Sequence, residues 1–170
     1  QYYAIAHDAK SVWIGTERGL VRMDRKSRTF RSYGQFDGIS GERVTALLPV
    51  KNNLIIGTDR GVSVFDIRRD SIYDANTDIM LPRVIYDFAQ GDSIIYAATD
   101  IGVFSLVWGG SEWRRLLLDS PHLRSGVYQI QVVDSLLYTV GEDGVVVVDL
   151  KSWESTTFDR NTVFKNADLT

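Results

Sequence analysis

Two histidines, His7 and His122, are the only imidazoles in the 170-residue chain, and 115 residues separate them. No His-x-x-x-His spacing occurs to put two ligands on one metal, and tetrahedral zinc needs three or four. Cysteine is absent, which excludes disulfides, thiolate metal sites and cysteine nucleophiles. No G-x-S-x-G elbow, P-loop or dinucleotide fingerprint is present, and no serine has a histidine close by in sequence to activate it. These residue types point away from an enzyme and toward recognition, with no cofactor.

Charged residues read as surface. Asp24, Asp66 and Asp149 recur at equivalent places. Calcium needs converging oxygen ligands, whereas carboxylates on separate repeat units radiate apart. The reading is turn-capping aspartates that accept from backbone two residues on. His7 beside Asp8 is expected to be satisfied by its turn. The densest basic run is Arg18, Arg22, Arg25, Lys26, Arg28 and Arg31. It alternates with Val21, Met23 and Phe30, expected to point inward, which makes the cations a solvated outer edge. A net charge of −3 lacks the positive footprint of a nucleic-acid binder. No apolar run approaches the ~20 residues of a membrane-spanning helix, and no charged-then-apolar leader opens the sequence.

The elements that must position any site are repeats. VWIGTERGLVRMD from Val12, LIIGTDRGVSVFD from Leu54, IYAATDIGVFSLV from Ile95 and LYTVGEDGVVVVD from Leu137 align without gaps. Their glycines, Gly19, Gly61, Gly102 and Gly144, are spaced by 42, 41 and 42 residues. Thr16, Thr58 and Thr99 stand three residues before the first three, and Gly141 before the fourth. Each copy reads as a β-hairpin whose turn ends in a glycine that accepts positive φ. Glu17, Asp59 and Asp100 sit at the turn crests as solvated residues.

A further strand precedes each hairpin. Ala4, Ala46, Tyr86 and Tyr128 match, as do Ala6, Leu48, Phe88 and Ile130 two residues on, the period of a strand with one inward face. More polar fourth strands follow near 29–33, 71–74, 112–116 and 155–158, as outer edges should. Four antiparallel strands repeated four times at about 42 residues predict an all-β β-propeller. The blades fall at about 1–34, 42–75, 83–117 and 126–159. Residues 160–170 read as a linker toward a further blade, so the chain is expected to be part of a larger propeller.

Aromatic residues are the most suggestive for binding. Trp13, Ile55, Tyr96 and Tyr138 share one hairpin position and read as interblade core. Trp108, Trp113 and Trp153 do not repeat as a set. Trp108, in the turn Val107-Trp108-Gly109-Gly110-Ser111, can stack on a sugar ring or serve as a partner hot spot. Tyr86 and Tyr128 on innermost strands can line a central channel, and His122 lies in a loop that reaches toward it. These four are the candidate ligand-binding residues. The loops 34–42, 76–83 and 119–126 are the candidate recognition face, because rigid β scaffolds carry function at one end.

The strings WIGTERGLVRMD and IIGTDRGVSVFD resemble the two-component-regulator propeller repeat, whose pattern is about W-I-G-T-x-x-G-L-x-x-Y/F-D. Gly38-Ile39-Ser40 before Val44 is similar to that family's linker. The resemblance covers nearly the whole chain, stronger in the first two units than in the last two. It implies a non-enzymatic sensor propeller, periplasmic or on the bacterial cell surface, as in hybrid histidine kinases that detect polysaccharide fragments. An oligosaccharide or polysaccharide ligand is the implied partner, with no nucleic acid and no direct membrane insertion. The alternative is a protein-interaction scaffold or dimerisation propeller without a small-molecule ligand. Bare end faces would be covered by remaining blades of the same protein or by a homodimer partner.

Overall fold

A computed structural model of the chain describes residues 1–76, 83–117, 123–142 and 144–159. The first sheet comprises β1 (Tyr2–His7), β2 (Ser11–Thr16), β3 (Gly19–Asp24) and β4 (Phe30–Tyr33). The second comprises β5 (Val44–Val50), β6 (Asn53–Thr58), β7 (Gly61–Asp66) and β8 (Ser71–Asp74). The third holds β9 (Ile85–Gln90), β10 (Ile94–Thr99), β11 (Gly102–Val107) and the two-residue β12 (Arg114–Arg115). The fourth holds β13 (Val127–Val133), β14 (Leu136–Gly141), β15 (Gly144–Asp149) and β16 (Ser155–Asp159). In every sheet the strands pair in chain order. The chain divides into two units, Gln1–Asp87 and Phe88–Thr170.

The repeated threonine and glycine make the tight hairpins. Thr58 Oγ1 accepts the Arg60 amide at 3.0 Å and donates to the Gly61 carbonyl at 2.9 Å. Thr16 and Thr99 make the same two bonds in their own turns. One hydroxyl thus satisfies a donor and an acceptor that the turn leaves unpaired. Gly19 has φ 107°, and a β-carbon there would lie 2.2 Å from the Tyr33 carbonyl oxygen. Both the backbone conformation and the neighbouring strand therefore demand glycine.

The longer turns between third and fourth strands close as expected. Asp24 Oδ1 accepts from the amides of Lys26 and Ser27, Asp66 Oδ1 from those of Arg68 and Arg69, and Asp149 Oδ1 from those of Lys151 and Ser152. The Ser27 amide and hydroxyl hold the Asp24 carboxyl below its usual range, and the Lys151 and Ser152 amides do so for Asp149.

In the first unit, Trp13, Leu20 and Tyr33 of the first sheet pack on Leu54, Ile56 and Phe65 of the second. Trp13 and Tyr33 both meet the Phe65 ring edge-on, with centroids 4.9 and 5.0 Å apart. The register Trp13–Arg22–Arg31 carries both arginines onto this inner face. Arg18, Arg25, Lys26, Arg28 and Arg31 are exposed, as a solvated edge requires, and the expectation is corrected for Arg22, which is partly buried. Arg22 sits over the Trp13 ring and Arg31 over that of Tyr33, whereas Phe30 is exposed on the opposite face. His7 is exposed as well, with no turn satisfying its imidazole among the described residues.

In the second unit, Tyr96, Ala98 and Val103 of the third sheet join Ile130, Leu137, Val146 and Val148 of the fourth in one core. Trp113 is buried and stacks on Phe88 with centroids 6.5 Å apart. Trp13, Ile55 and Tyr96 are buried, but Tyr138 is 36 % exposed, which corrects its assignment to interblade core. It stands on the face of the fourth sheet opposite to Leu137, and among the described residues of this unit no sheet covers that face.

Candidate functional site

Antiparallel alternation places the β2–β3 hairpin, the β6–β7 hairpin and the connection from β4 to β5 at one end of the first unit. That connection passes through a single 3₁₀ turn, Gln35–Asp37, closed by Gly38 at φ 106°. The Asp37 carboxylate accepts the Gly34 amide at 2.8 Å. Phe36 projects fully into solvent from this turn, while Ile39 is buried three residues on. The Ser40 amide donates to the Ser63 hydroxyl at 2.9 Å. The connection is therefore anchored after Gly38 and displays an apolar ring before it.

Beside it lies a polar pocket of ≈ 310 Å³ lined by Tyr3, Glu17, Arg18, Glu42, Arg43 and Asp59. The Arg43 guanidinium stands 5.7 Å from the Tyr3 ring centroid. Asp59 Oδ1 accepts the Arg43 amide at 3.2 Å, and the Asp59 amide donates to the Arg43 carbonyl at 3.1 Å. Three carboxylates, two guanidiniums and a phenol give donors and acceptors for a hydroxyl-rich or mixed-charge ligand. Among the described residues no three His, Asp or Glu side chains gather to hold a metal ion, and no helix is long and apolar enough to cross a membrane.

Glu17 and Asp59 were legible as turn-crest residues, Glu42 as a loop residue and Arg18 as a solvated cation, but Tyr3 and Arg43 were not. The one available signal is alternation: strands that start at the same end bring their first residues beside the same turns.

Of the residues singled out for binding, Trp108 and Tyr128 share the second unit and are not brought together there. Tyr86 is half-buried on β9 and belongs to the first unit, whereas Tyr128 is 43 % exposed on β13 in the second. Trp108 is half-buried in the turn after β11, its amide donating to the Ser93 carbonyl at 2.7 Å. β13 begins at the hairpin end of its sheet and β11 finishes at the other, so Tyr128 and Trp108 occupy opposite ends of the second unit. His122 lies outside the described residues, as do most of the loops 76–83 and 119–126 and the 160–170 linker.

Four-stranded meanders that bury one face against the next sheet are blades, and the class is the all-β propeller. No family model matches the chain, and no curated protein matches it. Solved structures do. The extracellular domain of BT4673 from B. thetaiotaomicron, assigned to a hybrid two component system, is similar with a TM-score of 0.77 at 14 % identity over 94 % of this chain. The extracellular domain of BT3049 from the same organism, assigned likewise, gives 0.74 at 19 % identity over 94 %. The chain spans about a quarter of those two chains, 23 % and 24 %. The computationally designed Ika4 protein gives 0.64 at 18 % identity, with 94 % of this chain and 91 % of that one aligned. At these identities the likeness is one of fold.

Proposed function

We propose that the chain is a recognition segment of a larger, non-catalytic sensor propeller. Its setting is the periplasm or the bacterial cell surface, where it serves a two-component regulator that responds to polysaccharide fragments. The observation that carries this reading is structural likeness over nearly the whole chain to extracellular domains of two-component sensors, whose own chains are about four times longer. The repeat pattern WIGTERGLVRMD supports it from the sequence side. The ligand face is the hairpin end of the first unit, with Phe36 and the Arg43 pocket. Phe36→Ala and Arg43→Ala in the whole protein are expected to abolish the response to a panel of polysaccharide digests. Their melting temperatures should stay at the wild-type value. Variants that still respond in full would move recognition away from this end.

One observation favours the scaffold reading as a second possibility. Ile5 and Phe30 on the first sheet, and Tyr138, Val140 and Phe158 on the fourth, leave apolar faces exposed that stable folds normally cover. Further blades or a second copy of the chain fill that role, and sedimentation velocity separates the two. A strictly monomeric full-length protein excludes the second copy.

A further inference from the structure

The two units are equivalent pairs of sheets, so each position in the first has a counterpart 83 residues on. In the first unit the groove between the sheets, at the end away from the Thr–Gly hairpins, is closed by side chains. Trp13 Nε1 donates to Asp8 Oδ2 at 2.7 Å. Arg22 Nε donates to Ser11 Oγ at 2.8 Å and its Nη1 to Asp70 Oδ1 at 3.2 Å. Arg31 and the Tyr33 hydroxyl also donate to Asp70. In the second unit Asp8, Ser11, Arg22 and Asp70 are replaced by Gly91, Ile94, Ser105 and Trp153. Tyr33 is replaced by Leu116, and Arg31 keeps its type as Arg114, which pairs with Glu112 at 3.4 Å instead.

What remains is a pocket of ≈ 270 Å³, lined among others by Gly91, Asp92, Tyr96, Asp134, Lys151 and Trp153. Two of its features are unlike closed core. Tyr96 is 1 % exposed, yet its hydroxyl has no hydrogen-bond partner among the described residues. Burial raises its pKa with no partner offsetting it. Trp153 is 45 % exposed and adopts φ 61°, a left-handed conformation unusual for a bulky side chain. Its counterparts at the same turn position, Arg28 and Asp70, are polar. The turn holds it firmly, its amide donating to the Asp149 carbonyl at 2.7 Å.

The volume is just under the ~300–1,000 Å³ of drug-sized sites, which suits a single ring. An indole face offers an apolar platform, two carboxylates accept hydroxyl protons, and a phenol waits at the buried side. The carboxylates disfavour an anionic ligand, and Lys151 is the lone cation of the lining. We propose that this pocket binds a neutral pyranose, its C–H face on Trp153, its hydroxyls on Asp92 and Asp134, and the Tyr96 hydroxyl at the buried side. The site is built only from the second unit and does not depend on the Arg43 pocket, so either can fail while the other stands.

The test titrates the full chain with the methyl pyranosides of glucose, galactose and mannose, and with glucuronic acid. Tryptophan fluorescence and saturation-transfer NMR report binding. At least one neutral glycoside is expected to saturate in the millimolar range. Trp153→Ala should weaken it about tenfold and Tyr96→Phe severalfold. Gly91→Asp, which restores the carboxylate of the first unit, should abolish it with the melting temperature preserved. Binding unaffected by Trp153→Ala and Gly91→Asp overturns the site. Glucuronate binding tighter than every neutral glycoside overturns the ligand class, and no saturation by any of them overturns the proposal outright.

Discussion

Trp13 donates its indole N–H to the Asp8 carboxylate at 2.7 Å across the first β-turn of the chain. The Asp8 side chain also takes the amides of Lys10 and Ser11 at 2.7 and 2.8 Å. One carboxylate therefore ties a turn to the largest ring of the core. The corresponding Tyr96 has only Gly91 opposite it, and that absence of a side chain opens a pocket in the second unit.

Acid should weaken the Asp8 anchor. Burial alone raises the Asp8 carboxyl, but the Lys10 amide, Trp13, the Ser11 amide and Arg22 together outweigh it and hold the group below the ordinary 3.8. A carboxyl depressed by folding contributes stability above its unfolded pKa and loses it as pH falls through the folded one. Asp8→Ala is expected to cost about 1 kcal/mol near neutral pH, allowing for partial solvent screening. Urea midpoints should converge with wild type as pH drops below the ordinary carboxylate range. A gap constant with pH would assign the effect to packing.

Glycines that share a residue type do not share a role. Gly19→Ala puts a β-carbon 2.2 Å from the Tyr33 carbonyl oxygen at φ 107° and should cost about 2 kcal/mol or more. Gly91→Ala meets its nearest atom, Tyr96 Cε2, at 3.5 Å and should stay within about 0.5 kcal/mol. Thermal melts of both variants check the contrast.

Asp70 draws Arg22, Arg31 and the Tyr33 hydroxyl to one carboxylate between two sheets. The pairs are partly solvated, so Asp70→Ala should destabilise by about 1 kcal/mol, and less in high salt. Equal destabilisation in low and molar salt would remove the ionic account.

Val140 is 41 % exposed on the uncovered face of the fourth sheet. If another sheet, from the same protein or a second copy, covers that face, Val140→Lys buries a charge there and disrupts the contact. The expected result in the full-length protein is lost association, or premature proteolysis at that junction, with the strands of the fourth sheet still formed by circular dichroism. Unchanged sedimentation and protease resistance would show the face to be free.

The spacing of Gly19, Gly61, Gly102 and Gly144 made the hairpins legible, because a tight turn with positive φ admits few alternatives. Asp24, Asp66 and Asp149 were legible as turn caps for the same local reason. Arg22 and Phe30 were not. Period-two alternation says which residues share a face, and it is silent on which of the two faces is covered. Arg18, Arg25, Lys26, Arg28 and Arg31 are exposed as read, and the direction was inverted for Arg22 and Phe30. Tyr138 failed in another way, since repetition places it equivalently to Trp13 and Tyr96 while its burial depends on a neighbouring sheet.

Local chemistry in the chain thus determined the strands, their turns and the repeat, since these rest on backbone torsions and hydrogen bonds a few residues apart. Only the tertiary structure decided where surface becomes cavity. Arg22, Asp8 and Asp70 come from three different turns or strands, and whether a groove closes depends on long side chains meeting across two sheets, a matter of packing geometry rather than of any single segment.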